Sequence, residues 1–122
     1  MKVAIIGSRG LSVSDFTEYL PDGVTEIVSG GARGVDTSAR NYALSHNIKL
    51  TEFLPDYEKF GKSATHIRND RIIDYSEIVL AFWDGKSPGT RSVIAKAKAR
   101  GKKVVTLMPR GLAEKLKNEK NK

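Results

Sequence analysis

Three short segments concentrate glycine, small hydroxyl residues and arginine: Gly7-Ser8-Arg9-Gly10, Ser29-Gly30-Gly31-Ala32-Arg33-Gly34-Val35-Asp36, and the stretch from Trp83 through Asp84 to Gly89-Thr90-Arg91. Glycines let backbone N–H groups approach an anion closely, and a guanidinium binds phosphate through two parallel hydrogen bonds. The chemistry these residues share is phosphate recognition, so a nucleotide-like small molecule is the expected ligand. Ser29 to Gly34 are the expected main cradle, and Arg33→Ala is expected to weaken nucleotide binding at least tenfold. Gly7, Ser8 and Arg9 are expected to contact phosphate or ribose, and Gly89, Thr90 and Arg91 to close the site from the other side. Each has a plainer reading beside it. Gly7 can be only a turn, and Ser8 a helix cap. Asp36 suits a first helical turn whatever the function, and equally a ribose hydroxyl. Trp83 can stack on a base or fill a core.

The elements that must position these loops follow from the apolar pattern. Val3–Ile6, Glu26–Val28, Ile48–Phe53, Ile78–Phe82 and Val104–Leu107 read as five strands. The first and fourth are continuously apolar, as central parallel strands are. Helical spacing recurs over Gly34–His46, Ala64–Tyr75 and 91–100, and a fourth helix capped by Ser12 or Ser14 is expected to run to Leu20. Residues 54–63 read as a long polar loop. Strands alternating with helices predict an α/β fold, a three-layer doubly wound domain around a five-stranded parallel sheet. In such sheets ligands bind beyond the carboxyl ends of the strands, where the winding reverses. The three glycine-rich segments all follow strands.

Composition excludes several other classes. There is no cysteine, so disulfides, thiolate metal sites and cysteine nucleophiles are absent, and two histidines alone do not make a zinc site. No metal or cofactor is expected. No apolar run approaches a membrane span, and the opening MKVAIIGSRG has too short an apolar run for a signal peptide, so no membrane association and a cytoplasmic location are expected. GxxxxGK[ST], GxSxG and a GxGxxG after the first strand are all missing. The net charge of +7 lies at one end. Residues 96–122 carry 10 basic and 2 acidic residues, whereas 1–95 carry 11 and 12. Nucleic acid is therefore not the expected partner of the domain, placed at 1–109. The Lys-rich tail, 110–122, reads as a solvated segment.

The segment Val28 to Asp36, with Gly7-Ser8-Arg9 after the first strand, resembles the nucleotide-binding motifs of the SLOG superfamily of Rossmann-like domains, and most closely its YspA/YpsA-related branch. His66-Ile67-Arg68-Asn69-Asp70-Arg71 and Pro88-Gly89-Thr90 follow in the same order and extend the resemblance over residues 2–108. It is similar as well to the DNA-processing protein A and lonely-guy phosphoribohydrolase families. The resemblance implies a nucleotide or ADP-ribose/NAD-related ligand and a role as sensor or binding module. The alternative it implies is N-glycosidic hydrolysis of nucleoside 5'-phosphates, with Arg68 as a catalytic residue. Where those enzymes carry a glutamate this chain has Val93, which leaves Asp84 or Asp36 as the carboxylate. A minor alternative is single-stranded DNA binding. Relatives are commonly dimeric, so a homodimer through the helices at 64–75 and 91–100 is a further implication.

Overall fold

A computed structural model of the chain describes residues 1–108. The expectation for the tail at 110–122 lies outside the described residues. Five parallel strands form one sheet: β1 (Lys2–Gly7), β2 (Glu26–Ser29), β3 (Lys49–Glu52), β4 (Ile78–Phe82) and β5 (Lys103–Leu107). Their order is β3-β2-β1-β4-β5. Helix α1 (Val35–Ser45) joins β2 to β3. The short α2 (Tyr57–Phe60), a 3-10 turn (Gly61–Ser63) and α3 (Ala64–Tyr75) carry the chain to β4, and α4 (Pro88–Ala99) leads to β5.

Alternation along the strands divides the core in two. Val3, Ile5, Ile27, Leu80 and Phe82 point to one face, where they pack with Val35, Ala39 and Tyr42 of α1. Ala4, Ile6, Val28, Val79 and Ala81 point to the other, against Ile72 and Ile73 of α3 and Val93, Ile94 and Ala97 of α4. The sheet is therefore covered on both faces, as predicted. The chain reverses its winding between β1 and β4, whose carboxyl ends align with Gly7 opposite Phe82.

The expected helix from Ser12 or Ser14 to Leu20 does not form. Residues 8–25 instead cross the sheet as an irregular segment. Leu11, Val13 and Phe16 are buried at spacings of two and three, which no helix face provides. The Val13 N–H donates to Ser38 Oγ on α1 (3.0 Å). Asp15 Oδ1 accepts from both the N–H (2.8 Å) and the hydroxyl (2.6 Å) of Thr17, local bonds that compete with a helical ladder. Phe16 is held edge-on between Tyr42 and Phe82. The polar stretch 54–63 also departs from expectation, because Asp56 Oδ1 accepts from the Lys59 N–H (3.1 Å) and starts α2. The helix expected at 91–100 begins three residues earlier, at Pro88, where proline suits the first turn. That shift places Pro88, Gly89 and Thr90 inside a helix N-terminus.

At the amino end of the sheet Glu26 is a buried carboxylate. Burial works to raise its pKa, but the hydroxyls of Thr51 and Tyr75, with Lys49, outweigh it and hold the group low. This network ties β2 to β3 and α3, at the end of the sheet opposite the glycine-rich loops.

Candidate functional site

Beyond the carboxyl ends of β1 and β4 lies a cavity of about 470 Å³, a size that suits a small ligand. Ile6 to Gly10 contribute from the end of β1, and Gly30, Ala32 and Asp36 from the segment after β2. Helix α3 contributes Thr65, His66, Arg68, Asn69 and Ile72. Helix α4 and the residue before it contribute Ser87, Pro88, Gly89, Thr90, Ser92 and Val93.

The loop after β1 is pinned rather than free. The Ser8 N–H donates to Phe82 O (3.0 Å), and the Ser8 hydroxyl accepts from the Asp84 N–H (3.3 Å), so the buried Ser8 fastens the β1 and β4 loops together. Arg9 and Gly10 are exposed at the cavity edge. Gly7 has no room for a side chain: a Cβ there would lie 2.5 Å from Phe82 O and 2.6 Å from Val35 Cγ2.

In the segment after β2 two backbone groups are engaged by side chains beside the cavity. The Ala32 N–H donates to Asp36 Oδ2 (3.1 Å), and the Gly30 carbonyl accepts from Arg68 Nη1 (2.6 Å). The second Arg68 bond runs from Nε to Asn69 Oδ1 (2.8 Å). Asp36 and Arg68 are both buried beside the cavity. Burial pushes the Asp36 carboxyl above its ordinary value, opposed by the Ala32 N–H and the Arg68 charge. Burial likewise lowers the Arg68 pKa, opposed by Asp36. Ser29 is fully buried below this pair, and Ser29 and Gly31 do not line the cavity. Arg33 is exposed and is not a lining residue either.

The N-terminus of α4 is arranged differently. Its first turn carries no acidic residue, and its N-cap, Ser87, makes no capping bond. The Ser87 hydroxyl donates instead to Asp84 Oδ2 (2.8 Å), while Asp84 Oδ1 accepts from the N–H groups of Lys86 and Ser87 (2.8 Å each). The first N–H groups of a helix have no intrahelical partner, and the helix dipole adds positive potential there. Gly89 and Thr90 thus line the cavity at a helix start whose N–H groups have no intrahelical partner, and the space where a Gly89 side chain would lie is empty.

Asp84 and Trp83, both sequence candidates, sit outside the cavity lining. The Ser87 and Lys86 N–H groups hold the Asp84 carboxyl at about 2, far from the range of a general base near neutrality. Asp84 organises its loop. A carboxyl lowered on folding adds stability that is present above its ordinary value of 3.8 and is lost as pH falls through about 2. Asp84→Ala is therefore expected to cost about 1 kcal/mol at pH 7, the partly exposed site screening more. Urea unfolding at stepped pH should show the difference from wild type shrinking between pH 4 and pH 2. Trp83 Nε1 donates to Ser87 O (3.0 Å), and the Arg91 guanidinium lies 5.4 Å from the Trp83 ring centroid. Trp83 and Arg91 pair with each other, and neither reaches the cavity lining.

Sequence reasoning did not select Thr65, Asn69, Ser87 or Ser92 as site residues. All lie on or beside α3 and α4, and only the earlier start of α4 at its proline signals the role of Ser87. Comparison with family models, with curated proteins and with solved structures finds no match to this chain.

Proposed function

We propose that the cavity binds a nucleotide or nucleotide derivative, with its phosphate at the α4 N-terminus and its ribose hydroxyls at Asp36, and that the domain acts as a sensor or ligand-binding module. The observation that carries this reading is the pairing of two unlike ends in one cavity. The helix start at Gly89-Thr90 has no side-chain cap and no acid in its first turn, which suits an anion, and the Asp84 carboxylate beside it is committed to Ser87 and the Lys86 N–H. Across the cavity, Asp36 would repel phosphate but accepts hydroxyl protons. The sequence resemblance to SLOG domains supports the same ligand class. A second reading, N-glycosidic hydrolysis, is favoured by one feature. Asp36 is the sole carboxylate among the lining residues, and it stands near Arg68 with a raised pKa. Val93 occupies the wall where a second carboxylate would be needed.

The test is thermal shift with AMP, ADP-ribose, cyclic ADP-ribose, NAD and nucleoside phosphates, followed by chromatography for released base. Binding raises the melting temperature by mass action. Thr90→Val, nearly isosteric, is expected to weaken the best ligand about tenfold with little change in unliganded stability. Arg33→Ala, at an exposed position outside the lining, is expected to weaken it less than about threefold. The reverse ranking would return the phosphate to the Ser29–Gly34 loop. Release of free base would make the protein a hydrolase, and no shift with any nucleotide would end the proposal.

A further inference from the structure

We infer that the base of the nucleotide lies along α3, its face on the His66 ring and an acceptor edge on the Asn69 amide, so that the cavity selects a base with a carbonyl oxygen, guanine above all; this rests on the nucleotide reading above. Helix α3 gives the cavity one continuous stripe. Thr65, Arg68, Asn69 and Ile72 recur at the spacing of a single helical face, and His66 borders it three residues before Asn69. Burial is graded along this stripe. Ile72 is 1% exposed and Arg68 9%, Thr65 and Asn69 are half-buried, and His66 is exposed. The wall thus runs from the protein interior out to solvent. With the phosphate at α4 and the ribose at Asp36 of α1, α3 is the helix left to receive the base.

His66 carries the one aromatic ring in the cavity lining. Bases stack on imidazole as they do on other aromatic rings, whatever their hydrogen-bonding edge. Asn69 supplies the edge contact, and its orientation is fixed. Its Oδ1 accepts from Arg68 Nε (2.8 Å), and Arg68 is held in turn by the Gly30 carbonyl through Nη1 (2.6 Å). Turning the amide over would set N–H against N–H. The group Asn69 has left to offer a ligand is therefore Nδ2, with two donors and no acceptor. An asparagine reads adenine by using its oxygen and its nitrogen together. Here the oxygen is committed to a guanidinium, a charge-assisted bond that a base amino group would have to share. The O6 and N7 acceptors of guanine, or O4 of uracil, meet Nδ2 as partners. The exocyclic amino group of adenine or cytosine meets it donor to donor.

Calorimetry with ribose 5-phosphate, AMP, IMP, GMP, CMP and UMP tests this. Wild type is expected to bind GMP and IMP at least about tenfold tighter than ribose 5-phosphate and about fivefold tighter than AMP, with UMP ahead of CMP. His66→Ala should weaken GMP about tenfold and ribose 5-phosphate less than about twofold. His66→Phe keeps a flat ring without its nitrogens and should return GMP to within about threefold of wild type. Asn69→Ala should bring IMP and AMP to within about twofold of each other, with ribose 5-phosphate unchanged. If His66→Phe binds GMP as poorly as His66→Ala, or Asn69→Ala keeps the preference for IMP, the base seat on α3 is overturned while nucleotide binding stands. An Asn69→Ala protein that loses ribose 5-phosphate as fully as IMP overturns it too, since Asn69 would then act only by holding Arg68. So does a wild type that prefers AMP, or that binds nucleotides no better than ribose 5-phosphate. If wild type binds none of these compounds, the nucleotide reading itself fails and the base seat falls with it.

Discussion

Gly34→Ala is expected to lower stability by about 3 kcal/mol and the melting temperature by roughly 10 °C. Gly34 caps α1 with φ 75° and ψ −122°, a conformation that side chains avoid. The space is closed too. A Cβ there would sit 2.4 Å from Arg9 O and 2.8 Å from Leu11 O, both backbone atoms that move only if the whole segment after β1 moves. The substitution thus combines strain of about 1–3 kcal/mol with overpacking of similar size. It also pushes Arg9 and Gly10 away from the cavity edge, so ligand affinity should fall with stability. Gly89→Ala is the matched control: its added methyl meets nothing, and the residue lies in a helix where alanine is favoured. Its melting temperature should equal or exceed that of wild type. Scanning calorimetry of both variants decides the matter, and a Gly34→Ala protein that melts within about 3 °C of wild type would remove the close-approach argument.

That contrast bears on how much the sequence discloses. The strands were legible because parallel strands buried on both faces leave continuous apolar runs, as in Val3–Ile6 and Ile78–Phe82. The switch point followed from alternation of strands and helices, and it located the cavity before any side chain was placed. What the sequence did not disclose was which glycines serve the ligand and which serve packing. Gly7, Gly34 and Gly89 look alike in the chain, yet two admit no side chain because of neighbours distant in sequence, and one is open. The irregular crossing at 8–25 was illegible for a similar reason. Ser12 and Ser14 carry an ordinary capping signal, but Ser38 of α1, remote in the chain, takes the Val13 N–H. Arginine was misleading in another way. Arg9, Arg33 and Arg91 all fall in or beside glycine-rich segments of the sequence, yet Arg91 lies within α4 and only Arg9 of the three lines the cavity. Arg68, on a helix, is the arginine buried in its wall.

Arg68 is also where the second large effect is expected. Arg68→Ala should cost about 3 kcal/mol or more, because it leaves Asp36 buried without its opposing charge and strips the Gly30 carbonyl of its donor. The Asp36 carboxyl, already raised by burial, loses one of the influences that hold it down, so its pKa should rise further. The sign of the pH dependence follows. A carboxyl raised on folding binds a proton more readily in the folded chain than in the unfolded one, so stability falls as pH climbs from 3.8 through the raised value and levels off above it. In Arg68→Ala that fall should be steeper and reach higher pH. Asp36→Asn removes the buried charge and should flatten the profile. The amide keeps an oxygen for the Ala32 N–H, so by itself it should change stability at pH 7 by less than about 1.5 kcal/mol. Combined, the two substitutions should cost at least about 1 kcal/mol less than their sum, since the penalty of Arg68→Ala is chiefly that of an unopposed carboxylate. Urea unfolding of the four proteins at pH 5 and pH 8 closes the cycle. Strict additivity would mean that Asp36 and Arg68 act separately, and the cavity wall would then be held by the Gly30 bond alone.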